Sequence, residues 1–277
     1  MGSIAEALRQ CSSLDGDSAV LDAELLLCEV LGRDRAYLRT WPDQDLTAAQ
    51  TTQYNALLAR RRQGEPVAHL LGRRAFWSFD LKVSPDTLIP RPDTEILIEN
   101  VLALDFPGDA RVLDLGTGTG AIALALASER PGWQVIASDC FPAVVALARE
   151  NTLRLGLKNV SVVCSHWFES IPAQRFQLIV SNPPYIEGDD IHLSQGDLKY
   201  EPRSALVAED KGLADFKHIV ASSRSYLDEG GWLLLEHGYQ QGRAVRCCFK
   251  KQGYLQVQTI RDLGSNERVT LGQFRSP

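Results

Sequence analysis

The residues with the most evident chemical use form the tetrapeptide Asn182-Pro183-Pro184-Tyr185. Two consecutive prolines remove two backbone donors and fix two φ angles, while Asn182, standing before a proline, is pushed toward extended geometry. The result is a rigid loop with free carbonyl acceptors. The Asn182 side-chain oxygen and the Pro183 carbonyl can together accept both N–H bonds of one amino group, and the Tyr185 ring offers a face against which a planar group can lie. An amide or aromatic amine nitrogen has a delocalised lone pair and is a poor nucleophile. Acceptors for both hydrogens orient it and stabilise the positive charge that develops as a methyl group is transferred in line. Asn182, Pro183 and Tyr185 are therefore the candidate catalytic residues, and Asn182, Pro183, Pro184 and Tyr185 the candidate substrate site. No convincing Ser/His/Asp or Cys/His set accompanies them.

A second constellation lies upstream. Asp114-Leu115-Gly116-Thr117-Gly118-Thr119-Gly120 joins a strand to a helix, and glycines at alternate positions permit a sharp turn and close approach of a cofactor to the backbone. Gly116, Gly118 and Ala121 also satisfy the G-x-G-x-x-G/A fingerprint of dinucleotide enzymes. Asp139, at the end of the next strand, does not separate the readings, because a carboxylate there can hold ribose hydroxyls in either. Asp114 and the proline loop tilt the choice. A carboxylate just ahead of the glycines would repel a pyrophosphate but suits an amino-acid moiety bearing an ammonium and a sulfonium.

These motifs need elements to position them. Residues 1–75 read as a small helical bundle. Asp17 and Ser18 can cap a segment whose Val20, Leu21, Leu25, Cys28 and Leu31 fall on one broad face, with Gly32 ending it. Thr47-Ala48-Ala49-Gln50 is a capping-box pattern opening a helix to about Gln63, stopped by Gly64 and Pro66. Arg60, Arg61 and Arg62 lie at its negative end, where their charge is favourable. From about residue 76 the period changes, and Phe79, Leu81 and Val83 alternate with Asp80 and Lys82 as in a half-buried strand or hairpin. The run from Leu88 to Glu95 then leads into a helix through Leu104. Residues 76–105 are thus expected to form a linker hairpin and helix ahead of a catalytic domain over 106–277. In that domain strands at 111–115, 134–139, 161–164, 176–181, 232–237, 255–260 and 269–274 alternate with helices at 121–130, 142–155, 214–227 and 240–252. The pattern predicts an α/β fold, a seven-stranded, mainly parallel Rossmann-like sheet with helices on both faces. Its last strand should be antiparallel, because only residues 261–268 join the final two. Ligands in such sheets bind beyond the carboxyl ends of the strands, near the switch point.

Composition narrows the class. The 277 residues suffice for one large domain or a core domain with a smaller partner, and 44% apolar with 23% charged residues predicts a sizeable core. No apolar run is long enough to cross a bilayer, and the first residues lack a signal peptide's basic and apolar regions. The six cysteines show no CxxC pair, which fits neither a zinc site nor a disulfide framework and suggests reduced cytoplasmic thiols. No metal is expected, and the chain should act as a monomer. A net charge of −6, with no basic excess in either region, argues against a dedicated nucleic-acid binder.

The seven-strand pattern, the DLGTGTG loop and NPPY together resemble the class I methyltransferases that modify planar nitrogens. Phe76-Trp77, the LIPRPDTE run at 88–95, NPPYI at 182–186, Glu201-Pro202 with Ala205-Leu206, the helical N-terminal region and Asn266-Glu267-Arg268 narrow the resemblance. Over essentially the whole chain they resemble the release factor glutamine methyltransferase family (PrmC/HemK). That resemblance implies N5-methylation of the glutamine in the Gly-Gly-Gln motif of class 1 peptide chain release factors, with S-adenosylmethionine as cofactor. Carried over by position, the cofactor would touch Gly116, Thr117, Gly118, Thr119, Gly120, Asp139, Trp167 and Asn182, with Trp167 packed near the adenine, and the helical region would dock the rest of the partner. One departure stands out: the family commonly reads Asp-Trp where this chain has His166-Trp167, so a neutral ring nitrogen must accept from the adenine amino group. Three alternatives remain. An amino-methyltransferase acting on adenine in DNA or guanine in RNA uses the same loop chemistry; a nicotinamide oxidoreductase explains the glycines but leaves NPPY idle; a non-catalytic binding protein would have no use for a complete loop.

Overall fold

The computed structural model describes residues 2–14, 16 and 18–276, so that Asp17, a candidate cap, lies outside the described residues. The chain divides into two units, 1–73 with 194–200, and 74–193 with 201–277. Among the described residues no helix is long and apolar enough to cross a membrane.

The first unit is built from α1 (Ile4–Arg9), α2 (Ala19–Leu31), α3 (Arg35–Thr40), α4 (Ala48–Arg62) and α5 (Val67–Leu71) around a core that includes Leu26, Leu27, Leu38, Tyr54 and Leu58. The capping box forms: Thr47 Oγ1 accepts from Gln50 N at 3.2 Å and Gln50 Oε1 accepts from Thr47 N at 2.9 Å. Ser18 stands at the N-cap of α2, but its hydroxyl donates to Asp22 at 3.2 Å instead of accepting from the backbone. The buried face of α2 is only partly the expected one, since Cys28 and Leu31 pack against the core as expected but the first turn does not. Asp22, Ala23, Glu24, Leu26 and Leu27 point inward, while Val20 and Leu21 are 60% and 40% exposed. This helix is apolar nearly all round, so periodicity could not select its face. Two ion pairs select it instead, Arg61 with Asp22 at 2.8 Å and Arg35 with Glu24 at 2.5 Å. The arginine run therefore does more than complement a helix dipole: Arg60 donates to Glu65 at 2.8 Å and Arg62 to the Ser13 hydroxyl at 2.7 Å.

The second unit opens with the two-stranded sheet of β1 (Arg73–Phe76) and β2 (Phe79–Lys82), then a 3-10 turn (Pro92–Thr94) and α6 (Glu95–Ala103). Strands β3 (Arg111–Leu115), β4 (Gln134–Asp139), β5 (Val160–Cys164), β6 (Phe176–Ser181), β7 (Leu227–Glu236), β8 (Leu255–Arg261) and β9 (Glu267–Gln273) follow. Between them lie α7 (Ala121–Glu129), α8 (Pro142–Leu155), the short α9 (Arg203–Leu206) and α10 (Glu209–Gly212), α11 (Ala214–Ser223) and α12 (Gly242–Lys251). The seven-stranded sheet has the order β5-β4-β3-β6-β7-β9-β8 and is parallel except for β9, which runs against both its neighbours. β7 starts five residues earlier than its apolar run suggests, because Leu227 pairs with Phe176 ahead of a bulge, and α11 accordingly ends at Ser223.

Period-two alternation feeds two cores. Val112, Leu178, Val180 and Leu234 face α6 and α7, whereas Leu113, Ile179, Leu233 and Leu235 face α11 and α12. All of Ala121–Ala127 is buried, as expected for a helix apolar on every side. The chain runs outward from β3 to β5 and returns to β6 on β3's other side, so a crevice opens beyond the carboxyl ends of β3, β4 and β6.

Candidate active site

At the end of β3 the glycine loop turns sharply. Gly116, Gly118 and Gly120 all adopt left-handed φ, at 67°, 56° and 89°, which side chains disfavour. Asp114 is fully buried beneath the loop and accepts from the Thr117 hydroxyl at 2.6 Å and from Ala123 N at 3.3 Å. Burial pushes its carboxyl up to about 7 against those two bonds. Asp114 thus shapes the loop and the start of α7, and it is not part of the cavity wall, in contrast to its expected place beside a cationic ligand. Asp139, closing β4, reaches back to accept from Gly118 N at 3.1 Å and from Phe141 N at 3.2 Å, and burial raises its carboxyl too.

Beyond β6, the end of the Asn182–Tyr185 loop is held by three hydrogen bonds. The amides of Tyr185 and Ile186 donate to the Leu206 carbonyl at 3.2 and 2.8 Å, and Gln241 donates to the Tyr185 carbonyl at 2.9 Å. Glu201, buried, accepts from Ile89 N at 2.8 Å and pairs with Arg91 at 2.6 Å, anchoring the run that ends in Thr94. Trp77 N donates to Glu95 at 2.9 Å, and Arg268 pairs with Asp93 at 3.1 Å. Segments scattered from Phe76 to Arg268 in the sequence therefore converge on one place.

They enclose a cavity of about 320 Å³, large enough for a nucleoside-sized ligand. Of the expected cofactor residues, Gly116, Thr117, Gly118, Thr119, Asp139, Trp167 and Asn182 line it. Gly120 does not. It caps α7, and a Cβ there would meet Leu124 Cδ1 at 2.9 Å, so packing accounts for this glycine. Trp167 lies over Gly116, whose Cβ would sit 3.6 Å from the indole, and it holds a left-handed φ of 47° with its carbonyl bonded to the Ser165 hydroxyl at 2.9 Å. Of the expected substrate residues, Asn182 and Pro184 line the cavity, while Pro183 is buried. Tyr185 packs into the core beneath α11 and α12, so its ring is engaged by apolar neighbours instead of standing free for a planar ligand.

Several residues of this site are given no role by the sequence motifs. Thr94 lines the cavity and accepts from Asn182 Nδ2 at 3.4 Å. Glu236, at the end of β7, is buried and bonded to Thr94 and Asn182. Asp215, from α11, lines the same wall as His166 and Trp167, and burial raises its carboxyl against the pull of His218 and His166. His166 itself engages Glu169 through Nδ1 at 3.0 Å, leaving Nε2 for a ligand. A carboxylate ending a buried apolar strand, as in Leu233-Leu234-Leu235-Glu236, is the one signal that could have drawn attention to Glu236. Among the described residues no three potential ligands gather into a metal site.

Comparison with known proteins gives the same outline. Residues 4–72 match the PrmC N-terminal domain, and residues 92–197 match the methyltransferase small domain. The chain is 55% identical to a release factor glutamine methyltransferase of Salmonella typhimurium, over 94% of each chain. It is 54% identical to its Escherichia coli counterpart, over 97% of this chain and 96% of the relative. A methyltransferase from Pyrococcus furiosus of known structure shares the fold at a TM-score of 0.56 and 18% identity, over 80% of this chain and 100% of that one.

Proposed function

The chain belongs to the release factor glutamine methyltransferase family, and from that membership we propose that it methylates N5 of the glutamine in the Gly-Gly-Gln motif of class 1 peptide chain release factors. The methyl donor in this reading is S-adenosylmethionine, and the cavity suits it. The wall combines the backbone of Gly116 to Thr119, the Asp139 carboxylate and an apolar side of Phe141, Val144, Ile122 and the Trp167 ring. Asp139 would hold the ribose hydroxyls, and the indole would cover the adenine. When bound, S-adenosylmethionine supplies an electrophilic methyl on a sulfonium.

The residues of the chain do the remainder. Asn182 Oδ1 and the Pro183 carbonyl accept the two N–H bonds of the glutamine amide, aim its nitrogen and stabilise the charge that grows on it. The loop's three anchors make this preorganised, since no group must move as charge develops. The observation that carries the reading is that the Leu88–Glu95 run, the Asn182–Ile186 segment and the Glu201–Leu206 segment all contribute residues to this single cavity. Every residue lining the cavity belongs to the second unit, so docking of the rest of the release factor falls to the helical residues 1–75. A transfer assay with labelled methyl donor, offering release factor, duplex DNA and ribosomal RNA in parallel, tests the proposal. Label should enter release factor alone; label in either nucleic acid, with none in release factor, overturns it.

A further inference from the structure

Glu236 ends β7 with its side chain buried, and it accepts hydrogen bonds from the Thr94 hydroxyl and the Asn182 carboxamide. With its hydroxyl hydrogen directed at Glu236, the Thr94 oxygen still has lone pairs to accept with, and Asn182 Nδ2 donates to it at 3.4 Å. An ionised carboxylate only accepts. Each link in this small chain therefore has one polarity. Nδ2 must turn toward Thr94 and Glu236, and Oδ1 must face the cavity. Resting on the reading that a glutamine amide is the methyl acceptor, we propose that Glu236 is a positioning residue that fixes the Asn182 carboxamide with Oδ1 presented to the acceptor nitrogen.

The device depends on charge. Once protonated, Glu236 becomes a donor, and the Asn182 carboxamide can turn over to accept from it. Nδ2 then faces the substrate's amino group, donor against donor, and the reactive pose is lost. Among the described residues Oε2 of Glu236 is buried with no hydrogen-bond partner; a proton taken up there would be an unsatisfied buried donor, so the carboxyl turns to bring it toward the Asn182 carboxamide. The groups around Glu236 come from three elements: Arg268 of β9 favours its ionised form, Asp93 of the turn before α6 opposes it, and Tyr185 of the proline loop faces it as well. Burial pushes His237, the residue after β7, toward its neutral form. Burial dominates the balance and lifts Glu236 up to about 7, so the orientation should be held above neutral pH and released below it.

Two measurements test this. In steady-state kinetics of release factor methylation across pH 5.5 to 9, the wild-type kcat should fall on the acid side of about pH 7. Glu236→Gln should lower kcat about ten- to a hundredfold at pH 8 and flatten that acid limb, with KM and the affinity for S-adenosylhomocysteine near wild type. The variant is needed because Asp114 also titrates near 7. An acid limb that survives in Glu236→Gln, or an unchanged kcat, overturns the proposal. The second measurement uses wild-type protein with no substrate and is independent of how the variant folds. The Asn182 side-chain amide resonance, identified by its absence in Asn182→Ala, should shift with a midpoint near pH 7. A resonance that stays constant from pH 5.5 to 9 refutes the proposal. If release factor is not the substrate, methyl transfer fails while this titration persists; if Glu236 has no positioning role, transfer to glutamine continues and the titration is absent.

Discussion

Gly212 sits where α10 meets the proline loop, and replacing it by alanine isolates the contribution of loop geometry. Its φ is +74°, and a Cβ built there would lie 2.1 Å from the Tyr185 carbonyl oxygen and 2.8 Å from Gln241 Nε2. Gly212→Ala therefore carries two costs. The left-handed backbone disfavours any side chain by about 1–2 kcal/mol. Relief of the clash needs the Tyr185 carbonyl to retreat by about 1 Å, which breaks its 2.9 Å bond from Gln241. Tyr185 and Ile186 remain tethered to Leu206, so the displacement is passed back through Pro184 to Asn182. Misplacing a reacting group by that distance costs about a hundredfold in rate. We expect kcat/KM to fall about a hundredfold, S-adenosylmethionine affinity by titration calorimetry to stay within about threefold, and the melting temperature to drop by about 4–8 °C for roughly 2 kcal/mol lost. Activity within threefold of wild type would show that the loop tolerates movement and that the preorganisation argument is mistaken.

Other perturbations separate the roles of the carboxylates. Asp139→Ala should weaken S-adenosylmethionine binding by about 1.5–3 kcal/mol, the range of a charge-assisted hydrogen bond; unchanged affinity by calorimetry contradicts the ribose assignment. At the adenine end, Asp215→Asn should weaken binding about tenfold while His166→Ala changes it little, because the half-buried Asp215 carboxylate is the stronger acceptor on that wall; the opposite ranking would return the task to His166. Asp114 has a folded-state value of about 7, above its ordinary 3.8, so the stability tied to its protonated form is complete below about pH 4 and lost as pH rises through 7. Asp114→Asn should consequently gain in melting temperature over wild type as pH rises from 5 to 8, and parallel melting curves across that range would refute the burial argument.

What could be read from the sequence was local. The Pro183-Pro184 pair rigidifies its loop whatever surrounds it, and the glycines of 116–120 announce a left-handed turn by themselves, so both motifs lie where the chain order places them. Strand alternation is equally local, and the switch point followed from it. The residues that escaped notice depend on distant partners. Nothing near Thr94 says that it will meet Asn182, and Glu236 becomes meaningful only when β7 docks beside β6. Gly212 is ordinary until the Tyr185 carbonyl occupies the space of its missing Cβ. The inward face of α2 was hidden for a similar reason, since Asp22 and Glu24 can be buried only because Arg61 and Arg35, from other helices, neutralise them. Read from sequence alone the Tyr185 ring offers a face to a planar group, but in the fold it packs against a core that includes side chains of α11 and α12.

Peptide mass spectrometry of a class 1 release factor, after incubation with S-adenosylmethionine and either wild-type enzyme or Asn182→Ala, bears on both the acceptor and the residue that aims it. Wild type should add one methylene to the glutamine of Gly-Gly-Gln and to no other residue, and Asn182→Ala should slow that addition by roughly a hundred- to a thousandfold, as removal of one preorganised polar group does. A methyl group on any other residue, or a wild-type rate with Asn182→Ala, would contradict the account.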